Sequence, residues 1–367
     1  MEDNHSIRGF KGFDKSLSCR GFKYEVGKTY DLKGEVECCK RGFHFCEYPL
    51  EVFDYYPPCA SRFCQVEGGG SVDASKVDSK VATSHIHVLS EIDLNGLIDE
   101  GVKYILNKAD CYGGKTINTG DYSISTRKTR YSVATNSGDS SAATNTSYQS
   151  AAINSGINSS ATNSGKQSVA TNSGDSSAAT NTGYQSVATN SGYKSAATST
   201  RMQSVATNSG DSSAATNTGY QSVATNSGYQ SAATNTGTQS VATNSGYKSA
   251  ATNSGDFSVS TNSGINSSAI NTGDFSSATN SGSQSAAIST GAQSLATVQG
   301  NESVAIVTGK DSMACGALGS WIVLTERGDF DGEIIPIKEV KAFKVDGVNI
   351  KENVPYKLVD GQAVAVN

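Results

Sequence analysis

Proline, tryptophan and charge are all scarce in this sequence. It has 5 prolines and 1 tryptophan in 367 residues, and 17% of the residues are charged. No apolar run is long enough to span a bilayer, so no membrane association is expected. The formal net charge of -5 gives no electrostatic basis for a nucleic-acid partner. The start, MEDNHSIRGFKGFDKSL, contains no apolar signal core, which favours a cytoplasmic protein.

Cysteine is present, but its pattern excludes the usual frameworks. Seven of the 8 cysteines precede residue 112, and without a secretion signal they predict reduced thiols instead of disulfides. His44 lies near Cys46, but no C-x-x-C pair accompanies them, so the ligand spacing of a zinc site is lacking. We therefore expect neither a metal site nor a bound cofactor.

Glycine is abundant, and it recurs within a nine-residue phrase, S-x-A-T-N-[ST]-G-x-x. The serine at position 1 recurs every nine residues from Ser123 to Ser312, which makes 22 units without an insertion. Uninterrupted spacing of this kind is typical of a solenoid. Position 2 alternates between valine and alanine from Val169 to Val259, so the true period is 18 residues. The sequence predicts a mainly β fold, a parallel β-solenoid of 11 coils, and a rod of about 50 Å at ~4.8 Å per coil.

Side chains alternate between the two faces of a strand, so positions 1, 3 and 5 share one side. A narrow two-sheet coil admits small side chains, which places serine, alanine and asparagine inside. The competing assignment buries valine and threonine, and periodicity alone leaves it open. With small residues inside, valine and threonine form an exposed binding and self-association face, comprising Val169, Val187, Val205, Val223, Val241, Thr171, Thr189, Thr207, Thr225 and Thr243.

This valine face predicts a homo-oligomer. A bare apolar stripe of this length is seldom seen on monomers, and a single sticky face closes into a cyclic assembly. We expect a trimer, with a dimer as the alternative.

The corners of the coil are predicted at S-G-x-x. Glycine at position 7 fits a backbone with positive φ, and the variable positions 8 and 9 are expected to be exposed. Aromatic side chains recur there, at Tyr184, Tyr193, Tyr220, Tyr229 and Tyr247. They could stack on bases or sugars. The favoured interpretation is that neighbouring rings stack on each other.

Both ends depart from the repeat. Residues 1–112 alternate short apolar runs with turns and carry two helical patterns, PLEVFDYY and SEIDLNGLIDEGVKYILNKA, which predicts an α+β domain. Residues 113–318 form the solenoid, and residues 319–367 read as a β-hairpin or meander with turns at Asp346 and Asp360. Because open solenoid ends aggregate, both end domains are predicted to cap the rod, with Trp321 as an apolar lid. EGGGS is predicted as a turn.

Two resemblances add context. The unit SVATNSG resembles the head repeats of trimeric autotransporter adhesins, which implies association of sister chains. FKGFDKSLSCRGFKYEVGKTY, GFHFC and the tail GSWIVLTERGDFDGEI resemble an uncharacterised domain family of phages, prophages and gut bacteria, whose members often precede β-solenoid repeats. This resemblance implies a phage or prophage origin and a location in the virion or host cytoplasm. The period is also similar to that of calcium-binding toxin repeats, but their ligand aspartate is missing.

The sequence therefore predicts a non-enzymatic structural or binding protein, a capped rod acting as a scaffold. One alternative is an enzyme, since the segments around Arg8, His44 and Glu67 resemble an ADP-ribosyltransferase pattern in which these residues would hold NAD and polarise its ribose. The serine-rich second motif of the common class is absent. A second alternative is an ice or surface binder that uses the flat threonine ladders.

Overall fold

The computed structural model describes residues 6–112 and 115–366, with the side chains of residues 109–112 left undescribed. The N-terminal domain contains seven strands, a 3-10 helix over Pro49–Asp54 and one α-helix, α1, over Leu94–Tyr112. The strands are β1 Ile7–Phe13, β2 Ser18–Cys19, β3 Phe22–Lys23, β4 Thr29–Asp31, β5 Phe43–Cys46, β6 Arg62–Ala74 and β7 Lys80–Ile92.

The N-terminal sheet closes on itself. β1 pairs with β5 and β6, and β7 pairs with the same two strands, all antiparallel. β1 contributes alternate residues to the interior, so Phe13 packs there with Cys64 and Val66 of β6. The predicted α+β domain is thus a small closed sheet, with the 3-10 helix and α1 on its outside face.

Two local predictions for this domain were wrong. EGGGS lies within β6 instead of forming a turn, and a bulge between Gly69 and Val72, with Gly70 at φ 74°, takes up the glycines. The segment PLEVFDYY forms a 3-10 helix instead of an α-helix, beginning with proline at its first position. The second helical pattern is confirmed in α1, although Ser90 to Ile92 end β7.

The repeats form a parallel β-solenoid of about 12 coils with two short strands per coil, as predicted. Two sheets run along it. The strands are β8 Lys115–Asn118, β9 Ile124–Arg127, β10 Val133–Asn136, β11 Ala142–Asn145, β12 Ala151–Asn154, β13 Ser160–Asn163, β14 Val169–Asn172, β15 Ala178–Asn181, β16 Val187–Asn190, β17 Ala196–Ser199, β18 Val205–Asn208, β19 Ala214–Asn217, β20 Val223–Asn226, β21 Ala232–Asn235, β22 Val241–Asn244, β23 Ala250–Asn253, β24 Val259–Asn262, β25 Ser268–Asn271, β26 Ser277–Asn280, β27 Ala286–Ser289, β28 Leu295–Val298, β29 Val304–Val307, β30 Met313–Gly316 and β31 Trp321–Arg327.

The even-numbered strands from β8 to β30 build one sheet, which we call the valine sheet because valine dominates its position 2. The odd-numbered strands from β9 to β31 build the alanine sheet, where position 2 is mostly alanine. Each strand pairs in register with the strand 18 residues away, for example Val187 with Val205. The same residue type is therefore repeated along each row of the rod.

The interior holds serine, alanine and asparagine, which confirms the small-inside assignment. Ser222, Ala224 and Asn226 are at most 1% exposed. The Asn226 side-chain nitrogen donates to the carbonyls of Ser213 (3.1 Å) and Ala232 (3.0 Å), and its oxygen accepts from the Gly228 N–H. Asparagine thus satisfies backbone groups that a narrow coil would leave unpaired.

The corners differ from the sequence prediction in where the backbone is left-handed. Positive φ falls at position 9, for example 54° at Gln221 and 53° at Lys194, and not at the glycine of position 7. That glycine is needed because the coils stack closely. A Cβ on Gly228 would lie 2.0 Å from the Gly210 carbonyl oxygen of the neighbouring coil.

The C-terminal segment ends the rod with two antiparallel additions. β32, Ile337–Lys344, pairs with β31 on the alanine sheet, while β33 (Tyr356–Val359) and β34 (Gln362–Ala365) continue the valine sheet. The turn at Asp360 is confirmed between β33 and β34. The hairpin predicted at Asp346 was wrong, because β32 and β33 belong to different sheets and the chain crosses between them.

Trp321 is 45% exposed and is not the apolar lid. Its strand β31 instead completes the last coil by pairing with β29. The lid is built from side chains after this strand, among them Val345, Ile350 and Tyr356, each at most 6% exposed.

The N-terminal domain does not sit at the end of the rod. It lies along one side, contacting the solenoid from Val133 near the first coils to Gln239 near the middle. The prediction of an end cap was therefore wrong for this domain. The sequence showed that residues 6–112 have apolar helices to bury, but not which surface of the solenoid receives them.

Candidate functional site

The valine sheet is the first surface to consider, because the sequence predicts it as the binding face. Val169, Val187 and Val205 are 0% exposed, and Val223 is 5% exposed. Only Val241 among the five predicted valines is half-buried. The prediction of a bare stripe was therefore wrong over most of its length, since the protein's own N-terminal domain covers it.

The cover is apolar and comes from the two helices of the N-terminal domain. The 3-10 helix and the residue before it supply Tyr48, Leu50, Val52 and Phe53, and α1 supplies Leu97, Ile98 and Ile105. These side chains form one buried cluster with Val133, Ala151, Val169, Val187, Val205 and Val223 of the solenoid. Burying apolar area on both partners is the dominant favourable contribution to such a contact.

A row of glutamines lines the edge of this contact. We call it the glutamine ladder, and it consists of Gln149, Gln167, Gln185, Gln203, Gln221 and Gln239, all at position 9 of consecutive coils. Gln149 and Gln167 are buried at 2% and 0% exposure. Their side-chain nitrogens donate to Glu51 (2.7 Å) and Asp54 (2.9 Å) of the 3-10 helix. Corner residues predicted to be exposed thus hold the N-terminal domain.

Glu51 is the central polar group of the contact. It is 0% exposed and accepts hydrogen bonds from the Ser79 N–H and hydroxyl, from Gln149 and from the Tyr148 hydroxyl. Burial raises the pKa of its carboxyl, and the hydrogen bonds from Ser79 and Tyr148 oppose that shift. Burial also raises the pKa of Asp54, opposed by Lys166 at 3.5 Å.

The threonines predicted to share the valine face are half-buried: Thr171, Thr189, Thr207, Thr225 and Thr243. The hydroxyls of Thr189 and Thr207 are buried and have no hydrogen-bond partner within the described part of the chain. An unpaired buried hydroxyl weakens packing. This row is therefore poorly suited to the N-terminal domain, and the valines and glutamines provide the attachment.

The alanine sheet presents a different surface. Its outward side chains at position 2 remain half-buried in every coil from Ala142 to Val304, without the deep burial seen at Val187. Threonine follows at position 4, and position 6 is exposed, as at Thr182, Thr200 and Thr218. This sheet is a flat, repetitive and accessible face of small residues.

The predicted corner aromatics are exposed. Tyr184, Tyr193, Tyr220, Tyr229 and Tyr247 range from 38% to 47% exposure. Tyr229 and Tyr247 stack on each other with ring centroids 5.7 Å apart. The Arg201 guanidinium lies over the Tyr184 ring at 4.9 Å. Contacts along the rod therefore occupy part of these ring surfaces.

The three residues of the enzymatic alternative are only partly brought together. Arg8 and Glu67 are direct cross-strand partners on β1 and β6. His44 lies on β5, two residues beyond Cys46, which pairs with Phe10. The His44 Nε2 accepts a hydrogen bond from the Cys39 N–H at 2.9 Å, and burial, followed by the charge of Lys11, lowers the pKa of His44. The imidazole therefore faces a loop instead of the Arg8 and Glu67 pair.

Sequence reasoning missed the glutamine ladder, although a signal for it exists. Glutamine recurs every 18 residues from Gln149 to Gln239, always after an alanine-type unit and within the stretch where valine alternates with alanine. Two coincident 18-residue patterns on one edge of the valine sheet indicate a common partner.

Comparison with known proteins identifies one part of the chain. Residues 7–100 match the model of a domain of unknown function, DUF7666. The match covers about a quarter of the chain and includes every strand of the closed sheet, the 3-10 helix and the start of α1. No curated protein and no solved structure matches the chain significantly. The N-terminal domain is thus similar to an uncharacterised family.

Some site classes can be surveyed over the residues that the structure describes. Neither of the helices there is long and apolar enough to cross a membrane. Over the same residues, no three His, Cys, Asp or Glu side chains are grouped to hold a metal ion. The seven cysteines with described side chains are free thiols, and the eighth, Cys111, lies outside the described side chains.

Proposed function

We propose that the protein is a non-enzymatic scaffold, a β-solenoid rod that presents its alanine sheet as an interaction surface. The supporting observation is the asymmetry of the rod. One broad face is covered by the protein's own N-terminal domain, whereas the other remains accessible from Ala142 to Val304. Repetition along such a face offers one contact chemistry many times, which favours binding to an extended partner by multivalency.

The cellular setting belongs to the same proposal. The similarity of residues 7–100 to a domain of unknown function supports a family context without an activity. The resemblance of both ends to phage and prophage proteins supports a phage-related origin, with a cytoplasmic or virion location.

Self-association is retained as a proposal with a smaller surface. The covered valines no longer support a trimer through the whole stripe. The uncovered length of the valine sheet still carries half-buried Val241, Val259, Leu295 and Met313. A trimer or dimer through this second half of the rod is the revised form of the proposal.

A matched pair of triple variants tests the interaction face. Thr180, Thr198 and Thr216 on the alanine sheet are changed to lysine in one variant, and Thr243, Thr261 and Thr279 on the uncovered valine sheet in the other. We expect partners recovered with the wild-type protein to be lost with the first variant and retained with the second. Equal loss or equal retention would contradict the assignment of the alanine sheet as the binding face.

A second candidate function is binding to a regular solid surface such as ice. It is favoured by the two parallel rows of threonine on the alanine sheet, at positions 4 and 6 of successive coils, spaced by ~4.8 Å along the rod. Thermal hysteresis measured on the same two variants separates this function from protein binding. The enzymatic alternative would be restored by NAD turnover that Glu67→Gln abolishes.

A further inference from the structure

The N-terminal domain contains a cavity that the scaffold role does not use. β1 and β5 pair only at Phe10 and Cys46, and the two strands part beyond that point. The gap opens into a half-open cavity of about 640 Å³. This volume lies within the range of small-molecule sites, which is about 300–1,000 Å³.

A buried lysine reaches into the gap. Lys11 is 4% exposed, and its Nζ donates to the His44 carbonyl at 2.6 Å. The Nζ also lies 3.7 Å from the Cys19 Sγ and 5.4 Å from the centre of the Tyr24 ring. The described ion pairs include no carboxylate for Lys11, and burial lowers its pKa. The carbonyl uses one of three ammonium protons, so the charge itself stays uncompensated.

Other positive charges surround this lysine. Arg20 lies close enough to lower the pKa of Lys11 and of His44, after the larger effect of burial. Arg41 and Lys80 also line the cavity, and its lining contains no aspartate or glutamate. Lys80 is paired with Asp78 at 3.8 Å, whereas the described ion pairs give Arg20 and Arg41 no acidic partner. An anion in the cavity would relieve this repulsion.

The remaining walls are aromatic. Tyr24 and Phe43 are buried against the cavity, and Phe22 at the rim is 47% exposed. Phe22 packs edge-on to Tyr24 with ring centroids 4.8 Å apart, so the rim ring is held in place without being covered. Aromatic walls favour a flat apolar group, and the convergent charges fix its orientation.

We propose that this cavity binds a small organic anion with a planar aromatic part. Lys11 and Arg20 hold the anionic group, and Phe22, Tyr24 and Phe43 receive the ring. The inference goes beyond the scaffold role, and its failure would leave that role untouched.

Two dyes of matched shape test the proposal. Anilinonaphthalene sulfonate carries the anion, and N-phenylnaphthylamine is its neutral counterpart. Titration of the full chain, followed by dye fluorescence and by calorimetry, is expected to give one site and about tenfold tighter binding of the sulfonate. Equal affinity for the two dyes, or no saturable site, would overturn the proposal.

Variants locate the site. Arg20→Met lies on the exposed rim, so it should leave the fold intact and weaken sulfonate binding about tenfold, with no change for the neutral dye. Lys11→Met tests the buried charge, with thermal unfolding as a check because Lys11 also binds the His44 carbonyl. Lys248→Met, on a solenoid corner, is the matched control and should change nothing. Unchanged sulfonate affinity in Arg20→Met would reject the assigned site.

Discussion

The two sheets of the solenoid share one interior and differ in their exteriors. Both bury serine, alanine and asparagine at the same three positions, as Ala224 and Ala233 show at 0% exposure. Outside, the valine sheet is covered as far as Val223, whereas the alanine sheet stays accessible at every coil. The inward pattern thus specifies the coil, and the outward alternation of valine and alanine records which side has a partner.

The valine sheet also contains a comparison within itself. Val187 is covered by the N-terminal domain, but Val259 occupies the same position in the same sheet and is half-buried. The glutamine ladder ends at Gln239, where the cover also ends with a contact from Cys59. Two identical positions in one repeat therefore have different environments because of the neighbouring domain alone.

The largest effect is expected inside the coil, and it should be the same under both sheets. Ala224→Leu and Ala233→Leu each force a larger side chain into a closed interior, at a cost of about 3 kcal/mol in the free energy of unfolding. Chemical denaturation followed by circular dichroism measures it. Thr225→Leu, which faces outward, is the control. If Ala224→Leu were tolerated while Thr225→Leu was not, the assignment of the interior would be wrong.

The next effect should separate the covered from the uncovered valines. Val187→Asp places a carboxylate beneath the N-terminal domain and should weaken its attachment by about 2 kcal/mol through lost apolar burial and desolvation. The coil itself should survive, because Ser277 occupies the equivalent position of the same sheet. Hydrogen exchange in residues 48–54 is expected to increase.

Val259→Asp is the matched control, since it changes the same position outside the contact. It should leave the exchange of residues 48–54 unchanged. Light scattering on both variants adds a second readout: detachment in Val187→Asp bares the valine stripe and should promote association. Equal behaviour of the two variants would contradict the lateral position of the domain.

A pH effect should report on the same contact. Burial raises the pKa of Glu51 above its ordinary value of 4.5, so the docked form binds a proton more readily than the free form. This contribution to stability is complete below that value and is lost as the pH rises through the raised pKa. Glu51→Gln should therefore flatten the decline of stability between mildly acidic and neutral pH.

Glu91→Gln provides a control of opposite sign. The hydrogen bond from Arg62 lowers the pKa of Glu91, so its contribution is present at neutral pH and lost as the pH falls. Denaturation curves across this pH range should separate the two variants. A Glu51→Gln variant with the wild-type profile would show that Glu51 is not desolvated in the contact.

The sequence predicted what depends on repetition and missed what depends on docking. The 18-residue period, the two sheets and the small interior follow from a strict spacing and from the narrowness of a two-strand coil, and all are confirmed. The side position of the N-terminal domain could not be derived, because an apolar stripe at Val187 accepts a sister chain or a domain of the same chain equally well. Corner glycine was explained wrongly, since close stacking at Gly228 requires it instead of positive φ.

The smallest effect is expected at the corners away from the N-terminal domain. Tyr229 is 41% exposed and stacks only with its neighbour Tyr247, so Tyr229→Phe should change stability by less than about 0.5 kcal/mol. Tyr148 lies on the other edge, where its hydroxyl donates to Glu51 at 3.2 Å. Tyr148→Phe removes that bond and should cost about 1 kcal/mol. Denaturation of the two variants side by side decides the point, because equal costs would mean that the two edges of the rod are not distinguished by the docked domain.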